Sequence, residues 1–384
     1  MTRVSGDWLD GPGAQAVLKL LEYAGHQAFL VGGAVRNALL GAPVTDLDIA
    51  TDARPDRVTA LAQAAGLRTV PTGIAHGTVT VIADDTPLEV TTFRRDVETD
   101  GRRAVVAFAD TLREDAMRRD FTMNALYARA DGTVVDPLGG LPDLRAGRVR
   151  FIGDAEARIR EDYLRILRYF RFHAWYGDAD GGLDAEALAA CAALADGLEI
   201  LPAERVTAEM LKLLAAPDPA PSVGGMAQAG ILARVLAGGD PASLGVLVHL
   251  EGVAGVPPEP IRRLAALGGE ATRLRLSRAQ GRLLKTLRVH ARSEAGTAEL
   301  AWRLGPDAAR DIELLRATAY GAPLPADLNA RIDKGATARF PLTGRDLPDL
   351  RGPEISAELA RLQDLWIASG FALSRDALLA AHAS

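Results

Sequence analysis

Residues 29–51 read FLVGGAVRNALLGAPVTDLDIAT, and this stretch decides the fold. An apolar run, Ala28–Gly32, predicts a strand, and Ala34–Leu40 has helical spacing. Between them Gly32 and Gly33 make a tight strand-to-helix turn, where the backbone can come close to a ligand and free N–H groups favour phosphate. Arg36 adds a fixed cation that can fork onto phosphate oxygens. The spacing is neither GxGxxG nor GxxxxGK[ST], so a Rossmann or P-loop site is not supported. Ten residues beyond Arg36 come Asp46-Leu47-Asp48. On a strand, positions i and i+2 share a face, which would place Asp46 and Asp48 side by side with Leu47 turned inward. Two adjacent carboxylates call for a cation, and all-oxygen ligation suits Mg²⁺ bound alongside substrate phosphates.

Working outward, strands are expected at 47–50, 68–71, 78–83 and 88–93, and helices at 13–24 and 55–65. Glu89 interrupts the last of those strands. If that strand neighbours the DxD strand, Glu89 is a third acid, as metal ligand or proton acceptor. Beyond Asp136-Pro137-Leu138-Gly139-Gly140 the pattern changes to long Ala/Leu/Arg helices, broken near 216–225, 252–260 and 321–325. The fold class is therefore α+β, with a sheet-containing head and an all-helical remainder. The expected domains are a head at 1–150, a helical neck at 151–220, and a helical body and tail at 221–384.

Two further clusters carry chemistry. Arg118-Arg119-Asp120-Phe121-Thr122-Met123-Asn124 leads toward an apolar strand. There Arg119 suits a phosphate, and Asp120 suits a ribose hydroxyl. Residues 160–171, REDYLRILRYFR, read as one helix. Ile159, Tyr163, Ile166, Phe170 and Ala174 line one side, with Asp162, Arg165, Arg168 and Arg171 away from it. A carboxylate and a guanidinium side by side present an acceptor and a fork of donors, an array able to mimic a Watson–Crick edge.

The 384 residues are 48% hydrophobic and 24% charged, an ordinary globular balance. The one cysteine, Cys191, excludes a disulfide framework, and the six histidines form no HxxxH or HExxH pair. The N-terminal MTRVSGDW lacks the order of a secretory signal, and no apolar run reaches 18 residues, so a cytoplasmic protein is expected. The net charge of −6 argues against coating nucleic acid through bulk charge. Against that background Arg145–Arg171 is a basic island of eight arginines and four acids.

These blocks, in this order, resemble the class II tRNA nucleotidyltransferase and bacterial poly(A) polymerase family. The motifs are LVGGAVRNALLG, DLDIAT, RRDFTMNAL, DPLGGLPDLRAGRVRFIGDAEARIREDYLRILR and PAERVTAEMLKLL, spanning about residues 28–215. The resemblance implies a polymerase-β-like nucleotidyltransferase head followed by helical neck, body and tail. It implies catalytic metal, Mg²⁺, on Asp46 and Asp48. Gly32, Gly33 and Arg36 would meet the triphosphate, and Arg119, Asp120 and Asn124 would serve the nucleotide's phosphate and ribose. Asp162 and Arg165, extended by Arg168 and Arg171, would read the base of CTP or ATP. The RNA partner would be a tRNA lacking its 3′-terminal CCA, with no obligate protein partner.

Poly(A) polymerases of the family usually carry an Arg-rich block soon after DxD. Here PTGIAHGTVTV at 71–81 and EVTTFR at 89–94 look like the CCA-adding branch. Arg94–Asp96 and Asp100–Arg103 would belong to the loop associated with adding the terminal A, which favours a full CCA adder over a CC-only enzyme. Two departures stand out. Asn37 sits where many members carry Asp, and no His-Asp dipeptide marks an HD phosphohydrolase domain. The last 150 or so residues show no base-reading motif and are expected to grip the tRNA elbow by shape.

Overall fold

Every side chain of the strand Ala28–Val31 (β1) is buried, as suits the middle of a sheet. In this computed structural model, which describes residues 2–74, 77–99, 104–178 and 180–383, β1 pairs antiparallel with Asp48–Thr51 (β2). The sheet continues through Arg68–Gly73 (β3), Thr78–Ala83 (β4) and Thr86–Thr92 (β5). A separate hairpin follows, Arg94–Thr99 (β6) against Ala104–Phe108 (β7). The main sheet closes with Tyr127–Ala128 (β8) and Val134–Val135 (β9), in the order β3-β4-β5-β2-β1-β8-β9. β2 and β5 run parallel, and their register sets Asp48 opposite Glu89.

The helices around this sheet are Asp7–Asp10 (α1), Pro12–Tyr23 (α2), Gly33–Leu39 (α3), Pro55–Ala64 (α4), Leu112–Met117 (α5) and Gly140–Arg145 (α6). Pro12 and Pro55 open their helices at a position where a missing N–H costs nothing. Thr111 and Glu114 form a capping box at the start of α5. α2 and α4 pack on the sheet, and Phe29, Val31, Phe93, Tyr127 and Ile152 form part of its core.

Next come Ala155–Glu161 (α7), Leu164–Tyr176 (α8), Ala185–Ala193 (α9), Ala203–Leu214 (α10), Ala220–Gln228 (α11) and Ile231–Val235 (α12). The single helix expected across 160–171 is two helices. Asp162 adopts an extended backbone, with φ −156° and ψ 104°, and ends α7. Its Oδ1 accepts the Leu164 N–H at 3.1 Å, a local side-chain bond that competes with helix continuation. The strand expected after Arg118–Asp120 is also shorter than its apolar sequence suggests. Thr122–Asn124 form a 3₁₀ turn, and only Tyr127–Ala128 are extended.

The remaining elements are Ala237–Gly239 (β10), Ala242–Ala254 (α13), Pro260–Leu267 (α14), Gly268–Glu270 (β11), Arg278–Ala291 (α15), Thr297–Leu304 (α16), Pro306–Tyr320 (α17), Leu328–Thr337 (α18), Pro353–Ala368 (α19) and Arg375–His382 (α20). Two compact units result: Met1–Gly245 with Leu267–Leu276, and Val246–Ala266 with Ser277–Ser384. The second contains a buried ion network, in which Glu251 accepts from Arg262 and Arg263 and Arg262 also reaches Asp311. It also has an apolar cluster around Leu347, Leu362, Trp366 and Leu378.

The turn that carries Asp120 and Asn124 is backed by glycine. A Cβ at Gly140 would lie 2.2 Å from the Thr122 carbonyl oxygen. Backbone cannot swing aside as a side-chain tip can, so Gly140→Ala is expected to destabilise by about 1–3 kcal/mol through overpacking. Its midpoint in thermal unfolding should fall by several degrees, and an unchanged midpoint would show that the turn yields freely.

Candidate functional site

Two cavities of the first unit hold the residues singled out in the sequence. The first, of about 600 Å³, is lined by Asp46, Asp48 and Glu89 together with Trp8, Thr45, Thr80 and Thr86. β2 begins at Asp48, so Asp46 lies just before the strand, and Leu47 is only half-buried. Burial and the facing Glu89 raise the Asp48 pKa, with Asp46 adding to the shift and Arg119 partly offsetting it. Among the described residues no hydrogen bond or ion pair engages the Asp48 or Glu89 carboxylate. Nor do three His, Cys, Asp or Glu side chains close into a ready cage there. Two or three carboxylates with open positions fit Mg²⁺, which keeps waters and takes substrate phosphate rather than an all-protein shell.

The second cavity, of about 290 Å³, gathers Arg118, Arg119, Asp120, Asp162, Leu164, Arg165, Arg168 and Arg205. Asp120 is buried. Its Oδ1 accepts from Asn124 Nδ2 at 2.8 Å and the Phe121 N–H at 2.9 Å, and its Oδ2 accepts from Arg168 Nε at 2.8 Å. Burial opposes its ionisation, but the Arg168 guanidinium outweighs it and holds the carboxyl well below the usual range. Arg119 is anchored by Asp115 Oδ2 at 2.9 Å and the Tyr127 hydroxyl at 3.0 Å. Burial disfavours its charge, yet Asp115 wins and the pKa rises. The guanidinium sits beside Gly32, where a Cβ would stand 3.6 Å from its Nη1. Gly32 has φ +68°, which a side chain would strain.

The Asp162–Arg165 pair is assembled by the turn rather than along a helix face. Asp162 Oδ2 accepts from Arg205 Nη2 at 2.7 Å. Arg165 is held by the Glu161 carboxylate and by the Arg158 carbonyl at 2.8 Å. Both side chains still line the one cavity.

Arg36, Asn124 and Arg171 do not line it. Arg36 is 7% exposed; its Nη1 donates to Asn124 Oδ1 at 2.5 Å, and its Nη2 to Asn37 Oδ1 at 2.9 Å and the Tyr176 hydroxyl at 2.8 Å. Burial lowers its pKa, partly offset by Tyr176 and Asp120. Asn37 keeps the acceptor that an Asp would supply and adds a donor to the Pro43 carbonyl at 2.9 Å. Gly33 abuts Arg36, and Arg171 pairs with Glu209 at 2.6 Å. Arg118, Leu164 and Arg205 line the cavity without a role that follows from the sequence, although all three lie in the quoted motifs. Asp100–Arg103, expected in a loop, lie outside the described residues, as do Ala75 and His76.

The chain matches two families, described as "Poly A polymerase head domain" over residues 28–150 and "Probable RNA and SrmB- binding site of polymerase A" over 182–242. It is 33% identical over 388 residues to the mouse mitochondrial CCA tRNA nucleotidyltransferase 1, an alignment spanning 96% of this chain and 89% of the mouse protein. The chain belongs to the class II tRNA nucleotidyltransferase family. A CCA-adding enzyme of Geobacillus thermodenitrificans is 41% identical over 220 residues, 57% of this chain and 53% of that one. The structure of the Bacillus stearothermophilus CCA-adding enzyme in complex with CTP superposes with a TM-score of 0.69 at 31% identity, covering 93% and 92% of the two chains. The Thermotoga maritima CCA-adding enzyme, at 18% identity and a TM-score of 0.66 over 94% of each chain, shares the fold.

The arginine clamp on Asp115 predicts an acid dependence of stability. Burial raises its pKa, but Arg119 and Arg118 hold the carboxyl down at about 2, against 3.8 ordinarily. A depressed folded pKa contributes stability that is full above pH ~4 and lost as pH falls through ~2, here about 2 kcal/mol. The melting-temperature gap between wild type and Asp115→Asn should therefore narrow on acidification below pH ~4. A gap that stays constant would mean that the charge of Asp115 does not carry the stability.

Proposed function

We infer that this chain is a template-independent nucleotidyltransferase that adds CCA to tRNA 3′ ends from CTP and ATP. The observation that carries the reading is the Asp162–Arg165 turn in one cavity with Arg119 and Asp120. Arg119, which lines that cavity, is also close enough to Asp48 for its charge to lower the Asp48 pKa. Relatives named CCA-adding enzymes, one solved with CTP, support it. A head, a neck and a body with tail, divided near residues 150 and 220, belong to the same proposal. So does a cytoplasmic location; no helix of the described residues is long and apolar enough to cross a membrane, and the mouse and human relatives are mitochondrial proteins.

In this reading the tRNA 3′-hydroxyl attacks the α-phosphorus of the bound nucleotide and pyrophosphate leaves. Arg119, fixed by Asp115 and Tyr127, presents a positive charge to phosphate without first having to order itself. Asp162 and Arg165, each held by a second side chain, offer an acceptor and donors to the base edge. Asp46 and Asp48 would hold Mg²⁺, with Glu89 as a third acid; the metal supplies charge stabilisation to the phosphate oxygens and acidifies the hydroxyl. Arg36 and Asn124 act by holding Asp120, and Arg168 neutralises it.

The test uses a tRNA transcript ending before CCA, with CTP, ATP or both, and product lengths read on a sequencing gel. Two additions with CTP and a third only with ATP present are expected. A stop at two would mean a CC-adding enzyme, a long ladder with ATP alone a poly(A) polymerase, and no addition would overturn the reading. Asp46→Ala should cut incorporation on the order of a thousandfold with the fold intact. Arg205→Ala should blur CTP/ATP choice about tenfold, because Asp162 loses a charge-assisted hydrogen bond. Undiminished selectivity in that variant would remove Arg205 from the positioning of Asp162.

A further inference from the structure

The acid-lined cavity contains one large side chain that the metal and nucleotide chemistry does not use. Trp8 lines it together with Asp46, Asp48 and Glu89. This residue belongs to α1, ahead of residues 28–150 matched to the polymerase head family. It is half-buried, whereas its neighbour Leu9 is 2% exposed. The segment is held in place without the indole. The Val4 N–H donates to the Gly132 carbonyl at 2.9 Å, and the Thr2 carbonyl accepts the Val134 N–H at 3.0 Å. Gln15 Nε2 donates to the Leu9 and Ala130 carbonyls at 3.0 and 2.8 Å. Gly6 leaves room for the ring, since a Cβ there would stand 2.9 Å from the indole nitrogen. Among the described residues no ring or cation stacks on Trp8, and its indole N–H meets no acceptor.

A half-exposed indole presents a flat apolar face, the kind of surface on which nucleic-acid bases stack. The rest of the lining does not draw in RNA by charge. Among the described residues no arginine or lysine forms it, and its carboxylates repel phosphate until a cation binds. The incoming base has its own place, at Asp162 and Arg165 in the other cavity. The attacking hydroxyl belongs to the terminal ribose of the RNA, and the base of that nucleotide is one glycosidic bond away. A hydroxyl delivered to the acids therefore brings its own base to this cavity. At about 600 Å³, a size typical of small-molecule sites, the cavity has room for it beside a metal ion. The terminal base changes as nucleotides are added, so the surface that holds it has to tolerate different bases. Stacking does so, because every base has a π-face.

We propose that Trp8 is the stacking platform for the 3′-terminal base of the RNA being extended, and that it sets the terminal ribose with its hydroxyl toward Asp46 and Asp48. The proposal rests on the CCA-adding reading and adds to it a residue outside the matched head.

The test is a two-by-two cycle with the full chain. Wild type and Trp8→Ala are each given tRNA lacking CCA, with its 3′-terminal nucleotide either intact or abasic, and kcat/KM for the RNA is measured at saturating CTP. On intact RNA, Trp8→Ala should lower kcat/KM on the order of tenfold to a hundredfold, as loss of one base–aromatic stack does. On abasic RNA the same substitution should cost less than about threefold, because the stack is already gone. Trp8→Phe keeps an aromatic face and should stay within about threefold of wild type on intact RNA. CTP affinity measured without RNA should not change. Equal losses on intact and abasic RNA would overturn the proposal and make Trp8 a support of the fold. A loss of CTP affinity would overturn it as well, by assigning the indole to the incoming nucleotide, and so would full activity of Trp8→Ala. A wild type that adds nothing to intact RNA would refute the CCA-adding reading by itself. The cycle is then read in equilibrium binding of the same RNAs, where a Trp8→Ala effect confined to intact RNA supports the stack and an equal effect on both overturns it.

Discussion

Asp120 is buried with both carboxylate oxygens engaged, one by Arg168 of α8 and the other by Asn124 and the Phe121 N–H. Asp120 could not stay ionised there alone, since an uncompensated buried charge costs several kcal/mol. The pair therefore fixes where α8 lies against the turn after α5, and the neighbours extend it. Asn124 passes the constraint to Arg36, and Arg36 returns it to α8 through the Tyr176 hydroxyl and ring, 4.0 Å from the guanidinium carbon. Phe121, next to Asp120 in the chain, packs on Phe151 and Phe172, both with centroids 5.0 Å away. Arg165 and Asp162 share a cavity with Arg119 because α8 is held in this place.

A second constraint has the opposite sign. The parallel register of β2 and β5 sets Asp48 directly across from Glu89, and Asp46 is near enough to add to the repulsion. No arginine forms an ion pair with these three among the described residues, whereas Asp115 pairs with Arg118 and Arg119 and Asp120 with Arg168. One set of acids is neutralised by the fold and the other is left for a cation. Arg119 belongs to both settings, ion-paired to Asp115 and acting on Asp48 through space. It marks the boundary between where phosphate charge is needed and where metal charge is needed.

Much of the head was legible because its chemistry is local. The strand β1, the glycine turn, α3 and the strand that starts at Asp48 follow from runs of a few residues, although Asp46 falls outside that strand, and the β2–β5 register meets the condition under which Glu89 is a third acid. The break at Asp162 was not legible. The 3.6-residue period runs unbroken through it, and only the Asx-type bond to the Leu164 N–H and the pull of Arg205 select the extended conformation. Arg205 was invisible for a related reason: its partner lies 43 residues away, and helical periodicity says nothing about which distant acid a surface arginine will meet. Arg36 shows the reverse. Its motif position suggests a ligand contact, but its burial and three side-chain acceptors make it a structural cation first.

The distribution of charge ties these points together. The basic island at 145–171 looks, in sequence, like the electrostatic surface of the molecule. In the fold most of its arginines are already committed, Arg148 to Asp184, Arg150 to Asp143, Arg158 and Arg165 to Glu161, Arg160 to Glu156, Arg168 to Asp120 and Arg171 to Glu209. Arg168 and Arg171, which meet buried carboxylates, are held in place, and that suits recognition of one nucleotide, where the donors must stand at fixed positions. A long polyanion poses a different problem: it needs unmatched charge and tolerates imprecise placement, because counterion release rewards proximity more than geometry. An acidic chain can meet both needs only by keeping its free cations apart from its paired ones.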